Sequence, residues 1–195
     1  MPRTIVEENL QFTFDDTWEV VKLDEHPFFK ERLMPLQLTC ALDFLALRRQ
    51  NALFLIEVKD FRGSAIELKN EERQCGGDTL FLQLARKSKD SVVCIAGAAR
   101  VLKDAFWSRC ADVLRKPGSV VKVVYWLEFD LGRRARGRRP EWVQEEMRAA
   151  AATRERELKA RLNWLTKQVV VTNQSLHGGA LPGVKVENIA RAGQR

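Results

Sequence analysis

This sequence has only two histidines, His26 and His177. That scarcity argues against a metal centre or catalytic triad built on imidazole. Its four cysteines, Cys40, Cys75, Cys94 and Cys110, lie far apart, with no close pair spacing. A zinc site therefore has no support, and Cys40, Cys94 and Cys110 read as small buried hydrophobes. No apolar run approaches the ~20 residues of a membrane-spanning helix. The first residues lack the basic start, apolar stretch and small-residue cleavage site of a signal peptide. Cytoplasmic residence with no membrane partner is the resulting expectation. No internal repeat or low-complexity domain is visible.

What is present is ordinary in amount: 45% hydrophobic and 30% charged residues in a chain of 195. A single domain, 1–195, with a full core is expected. The formal net charge of +7 favours polyanionic partners.

One stretch is unusual, Ala41 to Gly63, ALDFLALRRQNALFLIEVKDFRG. It reads as two apolar strands joined by a polar turn, with Asp43, Glu57 and Lys59 where apolar residues belong. Ionised side chains are rarely buried unless paired or bound to metal. Period-two alternation puts Leu53, Leu55, Glu57 and Lys59 on one face of the second strand, and Ala41, Asp43, Leu45 and Leu47 on one face of the first. A three-residue loop, Arg49-Gln50-Asn51, pairs Arg48 with Ala52 and Asp43 with Glu57. Asn51 is expected in the left-handed position of that loop. Opposed side chains have Cβ atoms ~5 Å apart, where like charges repel. A hard divalent cation between the carboxylates removes the repulsion.

Asp43, a hairpin and then Glu57-Val58-Lys59 resembles the core of the PD-(D/E)XK nuclease superfamily. Leu42 stands where that family usually has proline. The resemblance covers the hairpin closely and residues 5–130 through element order. It implies an α/β fold of restriction-endonuclease type, a mixed β-sheet flanked by helices as a three-layer α/β/α sandwich. It implies Mg2+ or Mn2+ bound by Asp43, Glu57 and the carbonyl of Val58. Lys59 would position or activate the attacking water. Gln83 and Lys87 share a helix face, where related nucleases carry a polar or basic residue near the metal. A further acid on a preceding helix is common in the family, and Glu7, Glu8, Glu25 and Glu31 are the candidates. The iron–sulfur cluster of some members is not implied, because their clustered C-terminal cysteines are missing.

Along the chain, Leu10, Phe12 and Phe14 suggest a strand, with Ile5 and Val6 leading into it. Trp18 to Leu23 either extends it or forms a second strand after an Asp15-Asp16 turn. A short helix from His26 to Leu33 ends at Pro35. Ser64 to Leu68 is a candidate strand, and Glu67 to Gly77 an exposed loop. Helical spacing runs from Thr79 to about Lys103 and continues through Leu114, up to the stop at Lys116-Pro117-Gly118. Val120 to Leu131 reads as a buried central strand. An arginine-rich loop follows at 132–139. Arg133, Arg134, Arg136, Arg138 and Arg139, together with Arg62, are the candidate nucleic-acid contacts. The segment 140–190 reads as a helix–strand extension. Its helix is opened by Pro140 and is followed by strands at Gln168 to Thr172 and at Val184 and Val186.

The expected function is metal-dependent hydrolysis of phosphodiester bonds, with DNA favoured as the nucleic-acid partner and a homodimer or protein partner compatible with the chain. The alternative is a catalytically inactive nuclease-fold protein acting as a nucleic-acid-binding or assembly subunit. A structural partner docking through the helix after Pro140 is a third.

Overall fold

The computed structural model describes residues 2–49, 51–62, 80–128, 140–176 and 179–189. Its layers follow from the alternation of side chains along one long strand, Ala52–Asp60 (β5). Leu53 and Leu55 feed one apolar core, while Phe54, Ile56 and Val58 feed another on the opposite face. Around β5 the sheet contains Trp18–Lys22 (β3), Phe44–Arg48 (β4), Val120–Glu128 (β6) and Gln168–Thr172 (β7), in the order β3-β4-β5-β6-β7. β4 runs antiparallel to both β3 and β5, whereas β6 and β7 continue parallel to β5. The parallel strands need crossovers. Helices Leu80–Val101 (α1) and Ala105–Arg115 (α2) connect β5 to β6, and Pro140–Leu162 (α3) lies between β6 and β7.

All three helices contribute to the first core, through Leu84, Cys94 and Ile95 of α1, Trp107 and Cys110 of α2, and Leu158 and Leu162 of α3. The expected continuous helix from Thr79 to Leu114 is broken between Val101 and Ala105. Asp104 caps α2 there, its carboxylate accepting from the Phe106 N–H at 2.7 Å, an arrangement typical of a helix start. The early helix is a π-helical turn, Phe29–Leu33, whose Phe29 is buried.

The opposite face departs from the expected α/β/α sandwich. Among the described residues it is covered by a second, three-stranded antiparallel sheet, not by helices. Arg3–Glu7 (β1), Leu10–Phe14 (β2) and Val184–Asn188 (β8) pair in the order β1-β2-β8. The physical reason is patterning. Leu10, Phe12, Phe14, Val184 and Val186 form one apolar side, which must be covered, and Phe44, Phe54, Ile56 and Trp126 on the main sheet cover it. Rings dominate the contact. Phe12 meets Phe44 and Trp126 edge-on with centroids 5.5 Å apart, and Trp18 meets Phe54 at 4.6 Å. Such pairs contribute about 0.5–1.5 kcal/mol each beyond burial. The segment after residue 140 is likewise no appendage, since β7 completes the main sheet and β8 the small one.

The chain also changes sheets early. β1 and β2 form a hairpin whose turn residue Glu8 has φ 53, and β3 leaves for the main sheet after Asp15. The Asp15 carboxylate accepts from the Thr17 N–H at 2.9 Å, closing that corner. Gly183, at φ +78, packs on it, and a Cβ there would stand 2.2 Å from Asp15 Oδ2. Only glycine fits both constraints.

Candidate functional site

The hairpin register agrees with the loop count: Arg48 pairs with Ala52 and Phe44 with Ile56. Continued by one residue, it sets Asp43 opposite Glu57. The left-handed turn residue the structure describes is Arg49, at φ 48, where the sequence suggested Asn51. The Arg49 N–H donates to Thr17 O at 2.9 Å, so pairing with the β2–β3 corner fixes the turn at its first residue.

Both acids are buried. Asp43 is 6% exposed and Glu57 0%, so neither is a solvated surface charge. Lys87 reaches across from α1 and donates to Glu57 Oε1 at 2.5 Å. Lys59 lies 3.6 Å from the same oxygen. The second oxygen, Glu57 Oε2, is buried without a hydrogen-bond partner. Asp43 Oδ2 accepts from the Val58 N–H at 2.7 Å. In a strand the N–H and C=O of one residue point to the same side, so the Val58 carbonyl opens towards Asp43. Burial, then the Glu57 charge, pushes the Asp43 carboxyl up to about 8, against Lys87 and the Val58 N–H. Burial pushes Glu57 in the same direction, opposed by Lys87 and then Lys59. The site lies at the carboxyl ends of β5 and β6, where ligands of open α/β sheets characteristically bind.

Helix α1 does more than lend Lys87. Asp90 Oδ2 accepts from the Cys40 N–H at 3.2 Å, and Ser91 Oγ accepts from the Leu42 N–H at 3.0 Å. Positions 87, 90 and 91 share one helix face, so the same face that neutralises Glu57 also clamps the chain leading into Asp43. Beneath it, Tyr125, the β6 partner of Glu57, meets Ser88 Oγ at 2.8 Å. Composition and spacing had not singled out Asp90, Ser91 or Ser88. Their signal was small polar residues on the apolar stripe of a helix. Cys40 touches Asp90, and burial followed by the Asp90 charge pushes its thiol up, opposite to an activated nucleophile. Burial pushes the Cys94 and Cys110 thiols up to about 12, in keeping with inert core residues.

The remaining candidates separate clearly. Gln83 sits on α1, its Nε2 buried without a partner. Of the four upstream acids, the Glu7 charge reaches Asp43 and helps raise it, although Glu7 lies on a strand and also pairs with Lys22 at 3.0 Å. Glu8 accepts from the Asp60 N–H and interacts with Lys59. Glu25 is exposed and paired with Lys22 at 2.5 Å, and Glu31 is an exposed acid of the π-helical turn. Arg62, expected to contact nucleic acid, grips Asp60. Its Nε and Nη2 donate to the two carboxylate oxygens at 2.7 Å each, and Nη1 donates to Asn188. Asp60 also accepts from Asn9, so this network fastens the end of β5 to the small sheet. Arg133, Arg134, Arg136, Arg138 and Arg139 lie outside the described residues, as do Cys75, the candidate strand at 64–68 and the loop at 67–77.

Two features suit a hard cation at Asp43 and Glu57: an unpartnered, fully buried carboxylate oxygen, and a neighbouring acid whose ionised form is disfavoured by burial and by the Glu57 charge. Against this, among the described residues no group of three or more His, Cys, Asp and Glu side chains is assembled to hold a metal, so a cation would need the Val58 carbonyl and water to complete its shell. No helix among the described residues is long and apolar enough to cross a membrane. No protein-family profile, curated protein or solved structure matches this chain.

Proposed function

We propose that this chain is a metal-dependent phosphodiesterase acting on nucleic acid, with DNA favoured over RNA. The observation that carries the reading is the pairing of two buried carboxylates, Asp43 and Glu57, at one strand end beside Lys59 and Lys87. Such a pair inside a core costs stability unless it is compensated, and a bound cation is one compensation. Asp43, Glu57 and the Val58 carbonyl would hold Mg2+ or Mn2+. When bound, the ion supplies charge that polarises a phosphate oxygen and acidifies water. The chain's own residues do the rest. Lys59, with its side chain 25% exposed, presents positive charge beside Glu57, where a phosphate would gain negative charge in the transition state. Ser91 and Asp90 hold the approach to Asp43 in place, and the hydrogen bond from Val58 fixes the orientation of its carboxylate.

The test is cleavage of plasmid and single-stranded DNA by purified protein with Mg2+ or Mn2+, with and without chelator. Cleavage that needs the ion and disappears in Glu57→Ala supports the reading. Cleavage that survives unchanged in that variant defeats it. A second reading, a non-catalytic nucleic-acid-binding or assembly subunit, is favoured by one observation: Lys87 already neutralises Glu57 at 2.5 Å. Binding of DNA without ion-dependent cleavage would select it.

A further inference from the structure

We propose that Lys87 is a resident counter-cation of the carboxylate pair, which an entering divalent metal must displace from Glu57. This rests on the reading of Asp43 and Glu57 as a metal site. A fully buried carboxylate needs a positive partner for the fold to survive without metal, and Lys87 is nearer to it than Lys59, 2.5 Å against 3.6 Å. Both ammonium groups gather on Oε1. Oε2 stays without a partner, and Asp43 Oδ2 is already committed to Val58. A dication centred on these oxygens would stand next to the Lys87 ammonium, and like charges at such range repel strongly in a poorly solvated site.

The two lysines are mounted differently. Lys59 extends from β5 and Lys87 from α1, both on the same flexible four-carbon stem, and the Lys87 side chain is 22% exposed and so within reach of solvent. The helix itself is held, because Asp90 and Ser91, three and four residues on, are bonded to the backbone of Cys40 and Leu42. Displacement is therefore a swing of one side chain, not a shift of α1. Lys87 supports the metal-free fold and, by the same contact, weakens the metal.

Mn2+ binding by calorimetry and thermal unfolding with and without Mn2+ test this in wild type, Lys87→Gln and Lys87→Arg. Lys87→Gln should melt lower than wild type without metal, bind Mn2+ at least about tenfold more tightly, and gain more in Tm from the ion. Lys87→Arg keeps the charge and should follow wild type. If Lys87→Gln does not fold, wild type still decides. The Lys87 Nζ resonance should move from an ion-paired to a solvated position as Mg2+ is added. Failure of wild type to bind Mn2+ would defeat the metal site itself. Normal wild-type binding with unchanged or weaker affinity in Lys87→Gln, or an Nζ resonance that Mg2+ leaves in place, would overturn the role of Lys87 and leave the metal site standing.

Discussion

The two faces of β5 solve different problems with the same strand. On the side of the small sheet, Phe54, Ile56 and Val58 are apolar, sealed by Phe12, Phe14, Phe44 and Trp126, and charge enters only at the last residue, Asp60, where Asn9 and Arg62 hold it. On the helix side, Leu53 and Leu55 give way to Glu57 and then Lys59, and the layer above supplies Lys87, Asp90 and Ser91. One face stores stability. The other gives up apolar burial for charge and needs a neighbouring helix to make that charge tolerable. The difference locates chemistry on one face only, and four experiments can break or sharpen it.

The largest effect is expected in catalysis. Asp43→Ala and Glu57→Ala should each lower ion-dependent cleavage by about three orders of magnitude, within the range for loss of a group that supports transition-state charge. Ile56→Val, the immediate neighbour of Glu57 on the other face, should cost about 0.5–1.5 kcal/mol of stability and leave the rate within about twofold at a temperature where the fold is intact. Equal losses of rate from both faces would dissolve the distinction.

Stability should show the reverse order. Trp126→Ala removes a buried ring and a hydrogen bond to Glu128, and should cost about 3–5 kcal/mol in urea unfolding. Glu57→Gln, which keeps the shape and removes a buried charge, should cost less than Trp126→Ala. A larger loss from Glu57→Gln would mean that the charged face, not the aromatic one, holds the sheet.

The third expectation concerns pH. Asp43 titrates at about 8 in the folded chain but near ~3.9 when unfolded. Between those values the folded state keeps a proton that the unfolded state has released. Stability contributed by this group therefore falls as pH rises through the window and levels off above it. Glu57 shifts in the same direction, so Asp43→Asn should flatten only part of the fall, by a few kcal/mol at most. Denaturation curves at about pH 5 and about pH 8.5 would measure it. An unchanged slope in Asp43→Asn would show that Asp43 is not the group responsible.

The smallest effect is expected from the arginine-rich segment. Changing Arg133, Arg134 and Arg136 to Ala should weaken DNA binding and flatten the dependence of log K on log salt by roughly two to three units, if all three touch phosphates. Mn2+ affinity should not move. An unchanged salt slope would assign the positive charge of the chain to another surface.

How much of this was readable in the sequence depends on range. The Asp43–Glu57 opposition could be counted along a hairpin, because period two and a short loop fix both face and register. The central strand from Val120 declared itself by its β-branched and aromatic run. The small sheet did not, because β2 finds its partner β8 near the far end of the chain, and local alternation cannot say which distant strand closes a sheet. Lys87 was suggested by the family resemblance, with helical spacing setting it on the face of Gln83. Asp90 and Ser91 were not, because their role depends on the segment Cys40–Leu42 lying across that turn of α1, which is a tertiary fact. The partner of Arg62 was hidden for a related reason. Its ion pair with Asp60 joins residues two apart, but the Asn188 contact that ties it to the small sheet is a tertiary fact.

The most direct test of the central claim is Mn2+ titration followed by electron paramagnetic resonance, in wild type, Asp43→Asn and Glu57→Gln, each shown to be folded. The account predicts one Mn2+ bound by wild type and loss of that binding in both variants. Absence of binding in wild type, or equal binding in all three proteins, would contradict it.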